Sequence, residues 1–150
     1  MELFKTANAQ TSFICEASLE RRADNGKIYN KIAMILVLRD EKNKAVKTLK
    51  YYLDVPAAKV LFFDLWEDKF NKKYTEFKRN PKMERALTIT LQETGLYQVS
   101  VLNVSKKPEE KLNLYFNLNR FQIRQLSISV LDYLKNHELA LMLAQLLHNK

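Results

Sequence analysis

Apolar and polar residues alternate along much of this chain, and twice the alternation gives way to helical spacing directly after an Asx residue. Leu49, Tyr51 and Leu53 alternate up to Asp54, and Leu61 and Leu65 then recur at helical intervals. Leu112, Leu114, Phe116 and Leu118 do the same up to Asn119, with Leu126 and Val130 beyond. A change of period from two to about 3.6 marks a strand becoming a helix. The two joints superpose at an offset of 65 residues, from position 54 to position 119, which predicts a duplicated strand–helix unit. Asp54 and Asn119 stand where N-caps belong, their side-chain oxygens placed to accept from first-turn amides. Pro56 follows the first near a helix start, and Gln122 stands three residues after the second, as in a capping box.

Upstream of each joint the pattern predicts antiparallel strands. Phe13, Cys15, Ala17 and Leu19 form one apolar face, and Ile32, Met34, Leu36 and Leu38 another. Between them Asp24-Asn25-Gly26 predicts a tight hairpin of type I′. Ala33, Ile35 and Val37 make the second of these strands apolar on both faces, so part of its outer face should be covered. A third strand, 45–54, completes the first unit. The second unit repeats the order: Leu87, Ile89 and Leu91, a turn at Gly95, then Tyr97, Val99 and Val101, a turn at 106–110, and a strand over 111–118.

The fold class is therefore α+β: two tandem antiparallel meander-plus-helix units, about 10–70 and 85–135, with the helices packed on one face of the sheets. A basic connector, 69–85, joins them. Leu139, Met142, Leu143, Leu146 and Leu147 add a C-terminal helix, and His137-Glu138 marks where a long helix would kink or restart. A chain of 150 residues fits one domain. Val60, Leu61, Phe62, Phe63, Leu65 and Trp66 run most of the way round their helix, more than one packed face needs. That excess predicts a homo-oligomer, dimer or tetramer, assembled through the helices.

Lysine and arginine number 25 against 17 acids, a formal charge of +8. Such a charge attracts polyanions; the alternative is solubility alone. No apolar run reaches the ~20 residues of a membrane span, and the first residues lack a secretory h-region. With a single cysteine, Cys15, a soluble protein of the reducing cytoplasm is expected. Two glycines cannot build a glycine-rich phosphate loop. Cys15 alternates with Phe13 and Ala17 as a core residue would, and His137 and His148 lack metal-ligand spacing. Ser12, Ser18 and Ser100 have no evident base, so no enzyme, metal or cofactor is predicted.

The outward sheet positions are better candidates. If Leu112 to Leu118 pack on the helix, Lys111, Asn113 and Tyr115 face out; Lys50 and Tyr52, with Tyr29 and Lys31 beside them, do so in the first unit. The connector adds Lys72, Lys73, Lys78 and Arg79, interrupted by Tyr74 and Phe77. It reads either as a solvated linker pinned to the core by those rings or as a basic arm beside a binding face. Rings among cations suit single-stranded nucleic acid: bases stack on Tyr29, Tyr52 and Tyr115 while the lysines follow the phosphates. Tyrosine is also a common strand residue, and lysine protects sheet edges.

This arrangement resembles the whirly single-stranded DNA-binding proteins and, more distantly, the transcriptional positive-cofactor proteins. Tyr29-Asn30-Lys31-Ile32-Ala33-Met34 is similar to the whirly Lys-Gly-Lys-Ala-Ala-Leu stretch preceded by tyrosine, with Asn30 in place of the glycine; Leu114 to Leu134 looks like the cofactor proteins' last strand and helix. The resemblance implies a whirly-like fold, four-subunit assembly through helices, and sequence-tolerant binding of single-stranded DNA, with RNA as the alternative. A different class, a protein-interaction or assembly module using the apolar helices or a sheet face, stays open, as does a small-molecule binder with a cavity between sheet and helix.

Overall fold

The computed structural model describes residues 1–149. The chain forms β1 (Glu2–Ala7), β2 (Thr11–Arg22), β3 (Ile28–Arg39), β4 (Ala45–Asp54), α1 (Val55–Trp66), β5 (Lys73–Arg79), β6 (Met83–Leu91), β7 (Tyr97–Lys106), β8 (Glu109–Leu118) and α2 (Arg120–His148). Two four-stranded antiparallel meanders, β1-β2-β3-β4 and β5-β6-β7-β8, each run directly into a helix. Each unit thus has one strand more than its pattern predicts. In the first it is β1; in the second it is β5, which occupies the middle of the basic connector.

The turn chemistry repeats as well. Gly26 N–H donates to the Ala23 carbonyl (2.9 Å), and Gly95 N–H to that of Gln92 (2.9 Å). Each glycine has φ near +85° (82° and 87°), whereas Asn25 is not left-handed. The hairpins therefore close through a turn whose left-handed residue comes last, not through a type I′ pair, which needs positive φ at both central residues. Asn43, at φ 64°, ends the β3–β4 turn in the same way, its N–H reaching the Asp40 carbonyl at 3.0 Å.

The two helix starts differ. Asn119 accepts from the Gln122 amide at 2.8 Å, and the Gln122 side chain accepts from the Asn119 amide at 2.9 Å, completing the capping box. Asp54 makes no side-chain cap; its carboxylate pairs with Lys31 across the β3–β4 ladder. That ion pair outcompetes the first-turn amides, a partner that local sequence does not reveal. The C-terminal apolar segment continues α2 without a break through His137, whose ring Nε2 lies 3.3 Å from Glu20 Oε1.

One apolar core runs through both units. Phe13, Met34, Leu36 and Leu53 of the first sheet join Leu87, Ile89, Val99 and Leu118 of the second, with Phe62 and Leu126 from the helices. The rings of Phe13 and Phe116 meet across the units at 6.4 Å between centroids. Cys15 lies in this core, its thiol pushed up to about 12 by burial and, less, by Glu16; it is not a nucleophile at neutral pH.

Asp68, just past α1, ties the first unit to the start of α2. Its carboxylate accepts from Arg124 at 2.7 Å and also from Arg120. The Arg124 hydrogen bond, opposed by partial burial and reinforced by Arg120, holds the Asp68 carboxyl below its usual range. The unfolded carboxyl therefore takes up its proton first as pH falls. The stabilisation is fully present above the unfolded value of about 4 and disappears as pH drops through the lower folded value. Asp68→Asn should lower the urea midpoint at pH 7, and the gap from wild type should narrow as pH is lowered below about 4. A gap that does not change with pH would mean the bridge is not the source.

Candidate nucleic-acid interface

Strand parity places every second residue of the second sheet on its outer face. One cross-strand row runs Thr75, Thr88, Ser100, Tyr115. The next runs Phe77, Ala86, Leu102, Asn113, and on the other side lies Lys73, Thr90, Gln98, Asn117. Arg79, Glu84, Val104 and Lys111 close the array. The result is a hydroxyl- and amide-rich surface with two projecting rings: Phe77 is 57% exposed and Tyr115 56%. Asn113 is fixed by accepting from the Ser100 hydroxyl at 2.8 Å. Arg79 stands over the Phe77 ring at 5.9 Å, and its Nε pairs with Glu84 at 3.1 Å. Lys73 and Lys111 lie exposed at opposite edges.

Beside β8, whose outer backbone edge is unpaired, a groove of about 570 Å³ opens towards the β1–β2 turn. Asn8 and Gln10 line one wall, and Asn113, Tyr115, Asn117 and Gln122 the other. Amides that both donate and accept can meet the edge of a planar heterocycle, and the volume is in the range of a small-ligand site.

The first sheet presents a different outer face. Lys50 is exposed, but its row continues through Ile35 and Ile14. Tyr52 is half-buried, and its row passes through Ala33 to Glu16 and on to Glu2 at the edge. Aliphatic and acidic neighbours thus replace the hydroxyls of the second sheet. Tyr29, 38% exposed, lies under the Lys31 ammonium at 5.9 Å, and Lys31 is itself engaged by Asp54.

The sequence-predicted residues therefore separate into groups. Lys73, Arg79, Lys111, Asn113 and Tyr115 come together on one face, with Lys72 exposed just before β5. Tyr29, Lys31, Lys50 and Tyr52 lie on the other sheet. Lys78 is not on an outer face: parity with Tyr74 and Glu76 turns it inward, where its ammonium donates to the Tyr52 carbonyl and stands 5.4 Å from the Tyr51 ring. Phe77, a core anchor on only one of the two readings of the connector, faces out, because β5 carries Tyr74, Glu76 and Lys78 on its inner side. The alternation of Lys73, Thr75, Phe77 and Arg79 with Tyr74, Glu76 and Lys78 was the available signal.

Comparison with solved structures places this geometry. The plant transcriptional regulator PBF-2 superposes with a TM-score of 0.72 over 96% of this chain and 85% of its own, at 9% identity. WHY3 of Arabidopsis thaliana gives 0.68 over 87% of this chain and 83% of its own, at 7% identity. WHY1 of the same plant gives 0.67, covering 87% and 86%, at 9% identity. The fold is whirly-like. At such low identity the likeness between this chain and the whirly proteins is one of backbone architecture, two sheets each closed by a helix. No family model matches the sequence, and no curated protein does. Among the described residues no cluster of three or more metal-ligating side chains occurs, and no helix is long and apolar enough to cross a membrane.

Proposed function

We propose that this whirly-like protein binds single-stranded nucleic acid, DNA first and RNA as the alternative, without reading its sequence and without chemistry. The observation that carries this reading is the pair of exposed rings, Phe77 and Tyr115, in a neutral field of hydroxyls and amides with cations at its margins. Unpaired bases stack on Tyr115 and Phe77. Lys72, Lys73, Arg79 and Lys111 follow the phosphates, and Asn113 and Asn117 meet base edges at the groove beside β8. Tyr29, Lys50 and Tyr52 extend the path over the first sheet; Lys31 is paired with Asp54, and Lys78 is turned inward, away from this face. The whirly-like architecture supports the same reading. A labelled oligothymidine followed by anisotropy should bind at low salt and weaken linearly in log–log form as salt rises, by ~0.7 per neutralised phosphate. An absence of binding at micromolar protein in low salt would reject the proposal.

A second surface favours self-assembly. Val60 and Phe63 of α1 are exposed, and so are Leu139, Met142, Leu143, Leu146 and Leu147 of α2, an amount of apolar surface that monomers rarely leave open. On this reading the helices join two or four copies, leaving the sheet faces free, in the cytoplasm. Light scattering should give a mass that is a multiple of the 17.7 kDa chain; Leu143→Glu with Leu147→Glu should return it to one chain. A wild-type protein at 17.7 kDa would exclude assembly.

A further inference from the structure

The inner end of the second sheet holds a feature that the proposed interface does not use. Lys78 and Arg85 stand directly opposite each other across β5 and β6, both on the inward face. Like charges in that relation are destabilising unless something neutralises them. Lys31 lies near enough that its charge, after burial, is the next cause depressing Lys78 below its ordinary value. Asp54 and Glu76 offset part of the Lys78 charge, but each is shared, Asp54 with Lys31 and Glu76 with the Tyr74 hydroxyl at 2.7 Å, and Glu84 pairs with Arg79. Arg85 donates only a weak Nε contact, 3.2 Å to the Met83 sulfur, and has no carboxylate partner.

A cleft of about 240 Å³ opens among these groups, lined by Tyr51, Tyr52, Lys78, Arg79, Asn80 and Arg85 with Met83. Tyr51 is 1% exposed, and its hydroxyl is raised above its ordinary range by burial and then by the adjacent Glu76 carboxylate, so it already faces an acceptor. An anion in the cleft would separate Lys78 from Arg85, accept from both, and give the guanidinium two oxygens to donate to. Carboxylates would also accept, but two or three cations around one small cleft match the charge of a phosphate better.

We propose that this cleft between β4 and the β5–β6 hairpin is a phosphate site, with Lys78 and Arg85 as its donors, and that it takes a phosphate group of the bound polynucleotide. The polynucleotide source rests on the function proposed above; the site itself does not. A 5′-terminal phosphate and an internal phosphodiester share the chemistry, and free phosphate is the remaining source.

The test uses the full chain with Lys78→Gln and Arg85→Gln, each checked for a cooperative melt. Melting is followed in inorganic phosphate against chloride at equal ionic strength, and affinity is measured for 5′-phosphorylated and 5′-hydroxyl oligothymidine. The site predicts a phosphate-specific rise in wild-type Tm that both variants reduce. It also predicts about a tenfold loss of oligonucleotide affinity in Arg85→Gln. Loss confined to the phosphorylated oligonucleotide identifies the terminal group, and equal loss for both identifies the internal phosphodiester. A Tm rise that the variants abolish, with oligonucleotide affinity unchanged or undetectable, retains the site and assigns it to free phosphate. No phosphate-specific Tm rise together with unchanged affinity in both variants overturns it, and so does equal stabilisation of wild type and variants by phosphate. If neither oligonucleotide binds wild type, the polynucleotide reading fails and the Tm series alone decides the site.

Discussion

Phe77→Ala combined with Tyr115→Ala should weaken oligothymidine binding by about 100-fold while leaving the thermal melt close to that of wild type. Each ring stacking on a base contributes ~1–3 kcal/mol, and ~1.4 kcal/mol is a tenfold change in affinity. Both rings are more than half exposed, so the fold loses little packing when they are cut back, within ~0.5 kcal/mol. The salt dependence separates this effect from electrostatics. No cation is removed, so the slope of log affinity against log salt should stay as in wild type, whereas Lys73→Ala with Lys111→Ala should flatten it. Affinity within twofold of wild type for the ring variant would show that bases do not stack on this face.

Phe13→Ala is expected to cost ~3–5 kcal/mol, the range for truncating a buried aromatic residue to alanine. Phe13 has no exposed surface and packs between Phe4, at 6.0 Å, and Phe116 of the other unit, at 6.4 Å. Its removal opens a cavity where the sheets are joined, so both units should lose stability together. Urea unfolding followed by circular dichroism and by Trp66 fluorescence should shift to lower midpoints in parallel. Phe121→Ala, by contrast, removes a ring that is 69% exposed and should change stability by ~0.5 kcal/mol or less. A loss below ~1 kcal/mol for Phe13→Ala, or two separated transitions in wild type, would mean that the halves do not fold as one unit.

The duplication was legible because each joint writes both of its periods locally. Leu112 to Leu118 alternate in sequence just as they alternate between faces, and Asn119 with Gln122 encodes its own cap. β5 was hidden for the opposite reason. Its inner positions are Tyr74, Glu76 and Lys78 and its outer ones include Phe77, so charges face in and a ring faces out, the inverse of the alternation that marks a strand. What tolerates that inversion is a set of contacts distant in sequence: the Tyr74–Glu76 pair, the Tyr52 carbonyl under Lys78 and the Tyr51 ring beside it. β1 is short, with a register shift between Glu2 and Phe4, which erases the period that would announce it. Lys31 reads from parity as an outward cation near Tyr29; the pairing of β3 with β4 also brings it to Asp54, a partner that its sequence neighbours do not show. Tyr52 falls between: its direction follows from parity, but its half-burial depends on what flanks it across the ladder.

Hydrogen-bonded strand ladders stay within each meander, and among the described residues no backbone-to-backbone bond passes from one unit to the other. Side chains alone weld the halves. Such a weld specifies volume and greasiness but not letter-by-letter spelling, so each meander can accumulate substitutions at its own pace provided the shared filling keeps its bulk.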